Sequence, residues 1–114
     1  MGAQRNAYGV RGMASDHAAF YTASLENGAA NMVSLATAAL RAGDVMSSSY
    51  AWVVSGLHAP ADWDQATYDA IRIAAAAGIA YMIAAGNTNH DLADTTIYGN
   101  RYLPASTPSG AFIT

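Results

Sequence analysis

The sequence predicts an α/β fold in which a mostly parallel sheet is covered by helices on both faces, giving three layers. Two segments with helical periodicity alternate with three apolar segments of strand length, in the order strand, helix, strand, helix, strand. The last strand, residues 79–85, is apolar on both of its faces, as is typical of a central parallel strand. Charged residues make up only 11% of the chain, against about 25% in an average domain. The low charge density therefore indicates either that something else buries much of the surface or that the chain is a piece of a larger core.

The first half of the chain is predicted to form one strand and one helix. Residues 18–25 are short, apolar and aromatic, which predicts a strand, and residues 26–28 predict a turn. Asn31 is the predicted N-cap of the helix, and Gly43 the left-handed residue that follows its end. The apolar face of this helix is formed by Met32, Leu35, Ala36, Ala39 and Leu40.

The second half continues the alternation. Residues 44–54 predict a second strand that runs into a loop, and Asp62 with Gln65 forms a capping-box pattern at the start of a second helix. Gly78 ends that helix, the third strand follows, and residues 86–102 predict a long polar loop. Residues 111–114 predict the beginning of another strand. The apolar face of the second helix is formed by Trp63, Ala66, Ala70, Ile73, Ala74 and Ala77.

Composition excludes several classes of function. The net charge is −3 and the five cationic side chains are scattered arginines, so there is no basic stripe for nucleic acid. The absence of cysteine excludes disulfides and thiolate–metal sites. The longest uncharged apolar run, residues 73–86, is too short to span a bilayer. No signal peptide is visible, so localisation stays open, and a secreted parent protein would carry its signal outside this chain.

Four short segments follow one another with the order and spacing found in a known catalytic domain. They are 9-GVRGMAS-15, 44-DVMSSSYA-51, 77-AGIAYMIAAGN-87 and 103-LPASTPS-109. They resemble the Gly-Val-x-Gly-Val-Ala-Pro turn, the Asp-Val-Ile-Asn-Met-Ser-Leu-Gly strand, the Ala-x-Gly-Val-x-Val-Val-Ala-Ala-Gly-Asn block and the Tyr-Pro-Ala-Ser-x-Pro segment of the subtilisin-like serine proteases (subtilases). The chain departs from the pattern at Met13, at Ser15, and at Ala51-Trp52, where the family has small glycines.

The resemblance implies a function for two neighbouring segments. It assigns Asn87 to the oxyanion hole, where a fixed side-chain amide donates to the carbonyl oxygen that gains charge during attack on a peptide bond. It assigns Ser49, Tyr50 and Ala51 to the strand that pairs with an extended substrate, and Ala84, Ala85 and Gly86 to the opposite wall of the pocket. Judged from the Gly-Asn pair alone, Asn87 would instead be an ordinary left-handed turn residue after a strand.

The groups for covalent chemistry are missing. The resemblance places the family's Asp and His motifs before this chain and its Gly-Thr-Ser-Met-Ala motif after it, and none of the three occurs here. His17, His58 and His90 accompany no nucleophile motif and are predicted to be solvated loop residues. The resemblance therefore implies that residues 1–114 are the central part of a subtilase-like peptidase domain, an internal fragment of a serine endopeptidase that is inactive alone.

Two other functions remain open. One is a non-catalytic α/β module of degenerate subtilase type that holds extended peptides without cleaving them. The other is a nucleotide-binding domain, which the sequence disfavours because 9-GVRG-12 is not a Gly-x-Gly-x-x-Gly loop.

The resemblance predicts an extended peptide or protein as partner, with no cofactor, nucleic acid or membrane. Asn87, Asn89, Asp91 and Asp94 supply oxygen atoms that would suit a structural Ca²⁺, but their spacing does not match the EF-hand pattern. We therefore predict a solvated loop there. The resemblance also predicts a cis peptide bond between Leu103 and Pro104.

Overall fold

The computed structural model describes Gly9, residues 16–99 and residues 108–114. Helices and strands alternate through this part of the chain, and one additional hairpin interrupts the alternation. The elements are α1 (Ala29–Ala39), β1 (Val45–Ser48), β2 (Ala51–Val54), β3 (Leu57–Pro60), a 3₁₀ turn (Ala61–Trp63), α2 (Gln65–Ala76), β4 (Ala80–Ile83), α3 (Thr95–Tyr98) and β5 (Phe112–Ile113).

Three of the strands form a parallel sheet in the order β1-β4-β5. Val45 lies beside Ala80 and Ser48 beside Ile83, so β1 and β4 end at the same level. Strand β5 pairs with the second half of β4, with Phe112 beside Met82. The predicted α/β class with a mostly parallel sheet is confirmed, and so is the strand that begins near the end of the printed sequence.

The core lies on one face of this sheet. Val33 of α1 and Ile71 of α2 pack with Tyr81 and Ile83 of β4 in one buried cluster. The opposite face carries Val45, Met82 and Phe112, which are all exposed. In the part of the chain that the structure describes, the two long helices thus cover one face, and the predicted third layer is not formed.

The predicted first strand is wrong. Residues 16–28 are exposed, and residues 18–25 form neither helix nor strand. Phe20 and Tyr21 are each about two-thirds exposed, at 63% and 66%. An apolar segment of strand length becomes a strand only when a neighbour accepts its backbone hydrogen bonds, and no other described strand pairs with this one.

Both predicted N-caps were misplaced. Helix α1 begins at Ala29 after Gly28, which has φ 89° and provides no side-chain cap, so Asn31 lies inside the helix. Helix α2 is capped by Asp64, whose carboxylate accepts from the Thr67 backbone N–H at 3.0 Å. Asp62 lies in the preceding 3₁₀ turn, where its buried carboxylate accepts a hydrogen bond from the Ser109 hydroxyl at 2.7 Å.

The helix ends and apolar faces were predicted in part. Gly78, with φ 78°, follows the C-cap of α2 as predicted. Gly43 has the predicted positive φ of 93°, but α1 already ends at Ala39 with Leu40 as its C-cap, so Gly43 does not end the helix. The predicted apolar faces, however, contain Leu35 and Ile73, which are 57% and 65% exposed. In α1 the buried face contains Val33, which the prediction left out. In α2 Ala70 and Ala74 are buried as predicted, together with Thr67 and Ile71, which the prediction left out.

The predicted strand over residues 44–54 is two strands. Strand β1 ends at Ser48, and β2 then pairs in antiparallel fashion with β3. The turn between them consists of Ser55 and Gly56, both with positive φ (51° and 80°), which is the geometry of the commonest two-residue hairpin turn. The hairpin carries residue 58 to the end of β4, where the candidate site lies. The prediction for Leu103 and Pro104 lies outside the described residues.

Tyr81 offers a test of the core. Its side chain is 2% exposed, and its hydroxyl has no hydrogen-bond partner among the described residues. Burial raises the pKa of this phenol above its ordinary value of 10.0, and the nearby Ser48 side chain, which is outside full hydrogen-bond geometry, lowers it by a smaller amount. Because the folded state favours the neutral phenol, this contribution to stability is present below pH 10 and is lost as the pH rises through the raised pKa.

We expect Tyr81→Phe to raise the free energy of unfolding at pH 7 by about 1 kcal/mol, because it removes an unsatisfied buried hydroxyl. We also expect it to reduce the loss of stability between pH 7 and about pH 11. Urea unfolding measures both effects, with the exposed Tyr21→Phe as the matched control. A lower stability of Tyr81→Phe at pH 7 would show that the hydroxyl has a partner.

Candidate functional site

The two segments singled out in the sequence lie at neighbouring strand ends. Because Ser48 is beside Ile83 in the parallel pair, residues 49–51 and 84–86 leave the sheet next to each other at its carboxyl edge. This edge is where parallel α/β sheets generally bind ligands.

The first segment turns from the sheet into the hairpin. The Tyr50 backbone N–H donates to the Ser48 hydroxyl at 3.2 Å, and Ala51 opens β2, where it lies opposite Pro60. One of the two hydrogen-bonding edges of β2 is thus paired with β3. The Tyr50 ring packs edge-to-face on Trp52, with centroids 5.3 Å apart. Partial burial, and then the negative charge of Asp64, raise the pKa of the Tyr50 phenol.

The second segment is fixed from the other side by β5. The Thr114 backbone N–H donates to the Ile83 carbonyl, and the Ala85 N–H donates to the Thr114 carbonyl, both at 2.9 Å. Residues 84–86 are half-buried. The segment is thus held between β5 and the hairpin, and the residues after it start from a fixed position.

Gly86 and Asn87 form the turn after β4. Gly86 has φ 105°, and a Cβ there would lie 2.6 Å from the His58 Cβ and 3.2 Å from the His58 carbonyl oxygen. The absence of a side chain at Gly86 therefore allows the turn to pack closely against β3. Asn87 is exposed. Its backbone N–H donates to His58 Nδ1 at 3.2 Å, while its side-chain amide makes no hydrogen bond to another described residue.

His58 is the site residue that the sequence argument missed, and the prediction that it is a solvated loop residue is wrong. It is half-buried on β3. Besides accepting from Asn87, it donates its backbone N–H to the Thr88 hydroxyl at 3.1 Å, and its carbonyl accepts from the Tyr98 hydroxyl at 2.9 Å. The hairpin signal around Ser55-Gly56 could have placed it on a strand, but its partner lies 29 residues further along the chain. His17 and His90 are exposed.

A small open cleft of about 180 Å³ lies beside this contact. Its walls combine apolar contacts with hydroxyl, amide and imidazole groups. The cleft is lined by His58, Ala85, Gly86, Thr88, Asn89, His90, Leu92 and Tyr98.

The carboxylates of the loop after β4 bind backbone groups nearby. Asp91 accepts from the Ala93 N–H at 2.9 Å, and Asp94 accepts from the Thr96 N–H and hydroxyl at the start of α3. These hydrogen bonds from Thr96, the side-chain one first, hold the pKa of Asp94 below its ordinary value. In the described part of the chain, no group of three or more His, Asp or Glu side chains is placed to hold a metal ion.

Comparisons with family models, with curated proteins and with solved structures find no match to this chain. None of the helices that the structure describes is long and apolar enough to cross a bilayer.

Proposed function

We propose that this chain supplies the oxyanion donor and the substrate-binding segments of a subtilisin-like serine endopeptidase. The observation that carries the proposal is the position of Gly86-Asn87 directly after β4 and beside the end of β1, where Gly86 lines an open cleft. The motifs of residues 44–51 and 77–87 support it, because the two segments that resemble the subtilase pattern are also neighbours in space.

The chemistry assigned to Asn87 is electrostatic. When a serine attacks a peptide carbonyl, the oxygen gains negative charge, and a donor already fixed in place lowers the barrier without reorganisation. The Asn87 side chain is exposed and its backbone is held by His58, so the amide can point outward from a fixed base. The attacking serine and its histidine belong to motifs that the printed sequence does not contain, and we assign no covalent step to the residues described.

The substrate in this proposal is an extended peptide. Residues 49–51 would pair with its backbone, and residues 84–86 would contact the side chain before the scissile bond. Ala51 already pairs with Pro60 of β3 on one side, and no other described strand pairs with the opposite edge of β2. A non-catalytic module that binds peptides at the same edge is the second candidate, favoured by the departures at Ala51 and Trp52.

Two measurements test the proposal. We expect the full-length gene product to cleave unstructured peptides, and the 114-residue chain alone to leave them intact. We also expect a bound peptide to shift the backbone NMR resonances of residues 49–51 and 84–86 in either form.

Each result separates the candidates. Peptide binding without cleavage by the full-length gene product would replace the peptidase with the binding module. A full-length product that neither binds nor cleaves peptides would exclude both functions.

A further inference from the structure

His58 joins the hairpin to the turn that carries Asn87 through both its side chain and its backbone. Its ring nitrogen Nδ1 accepts from the Asn87 N–H at 3.2 Å, and its own N–H donates to the next residue, Thr88, at 3.1 Å. Its carbonyl accepts from Tyr98 at 2.9 Å. One residue of β3 therefore holds two successive residues of the turn and is itself held by α3.

The contact with Nδ1 also fixes the state of the imidazole ring. A nitrogen that accepts a hydrogen bond carries no proton, so the neutral ring has its proton on Nε2. In this state the ring can accept from the backbone at residue 87. With a proton on Nδ1, two N–H groups would face each other across the same 3.2 Å.

The position of Asn87 makes this contact important. Its side chain is exposed and bonds to no other described residue, so the hydrogen bond on its backbone is what fixes the point from which the amide projects. An oxyanion donor is effective when it is fixed before the charge develops. Of the contacts that hold the turn, the hydrogen bond to His58 acts directly on residue 87.

We propose that His58 is a positioning residue for the oxyanion donor, and that it acts by accepting the Asn87 backbone N–H at Nδ1. This inference rests on the function proposed above. It assigns a role in catalysis to the inserted hairpin, since β3 brings His58 to the turn from a distant part of the sequence.

Two substitutions separate this role from that of a simple anchor. An asparagine at position 58 can place its carbonyl oxygen where Nδ1 lies, whereas the longer glutamine places its amide nearer to the position of Nε2. We expect His58→Gln to lower kcat of the full-length gene product roughly two- to tenfold, the effect of one ordinary hydrogen bond, with little change in KM. His58→Asn should stay within about twofold of the wild type.

The control is Val53→Thr, an exposed substitution on the strand opposite His58. It should leave kcat unchanged. Equal losses in His58→Asn and His58→Gln, or losses only in KM, would overturn the positioning role. If Asn87→Ala lowers kcat but His58→Gln does not, this inference alone fails. If Asn87→Ala leaves kcat unchanged, the proposed function fails and the inference falls with it.

A measurement on the unsubstituted protein covers the case in which the variants do not fold. The ¹⁵N chemical shifts of the imidazole distinguish its two neutral forms, and we expect His58 to carry its proton on Nε2. A ring with its proton on Nδ1 would exclude the hydrogen bond and with it the proposal.

Discussion

Replacing Asn87 with alanine in the full-length gene product is expected to lower kcat by roughly 10²–10³ and to change KM little. That magnitude is the one known for removing the oxyanion-hole asparagine of subtilisin itself, and we carry it over with the proposed function. The effect falls on kcat because the amide meets a fully charged oxygen only in the transition state. Steady-state kinetics with one peptide substrate measure both constants.

Two further variants test whether the loss of kcat is due to the donor group of Asn87. Asn87→Asp keeps the shape of the side chain but cannot donate, so we expect a loss in kcat at least as large as with alanine. Asn31→Ala removes an asparagine of α1 that has no role in the proposed function, and it should leave both constants unchanged. A loss confined to KM in the two Asn87 variants would mean that the side chain binds the substrate without stabilising the transition state.

Sequence reasoning correctly predicted those parts of the fold that are determined by residues close together in the chain. The apolar segment at residues 79–85 contains β4, and Gly78 ends the preceding helix with a positive φ that other residues rarely adopt. The position of Gly86-Asn87 at the carboxyl edge follows from these two features alone. The apolar segment and Gly78 therefore placed residues 86 and 87 at the end of a strand without any information on the residues that pack around them.

The predictions that failed depend on distant partners. Residues 18–25 have the composition of a strand, but pairing requires a neighbour that no local pattern specifies. The predicted capping box begins at Asp62, but the carboxylate that caps the helix is that of Asp64. Asp62 instead accepts a hydrogen bond from the Ser109 hydroxyl. The hydrogen bond between Asn87 and His58 of β3 likewise joins segments that are 29 residues apart, and no local pattern in either segment predicts the other.

Gly86→Ala is expected to lower the free energy of unfolding by about 2–5 kcal/mol, as the sum of two effects. The first is backbone strain, because residue 86 has φ 105°, where L side chains are rarely found. The second is overpacking, since the new methyl group would lie 2.6 Å from the His58 Cβ and 3.2 Å from the His58 carbonyl oxygen. That oxygen belongs to the backbone of a paired strand, so relief requires β3 to move away from the turn.

A comparison with Gly56, the glycine of the hairpin turn, separates backbone strain from overpacking. Gly56 has φ 80°, but an added Cβ there meets no atom within 4 Å, so Gly56→Ala should cost only the backbone term of about 1–2 kcal/mol. Urea unfolding of both variants gives the difference, which measures how tightly β3 packs on the turn. If β3 moves in Gly86→Ala, the amide exchange of Asn87 should accelerate, because its acceptor on His58 moves with the strand. Equal destabilisation by the two substitutions would mean that β3 does not pack closely on Gly86.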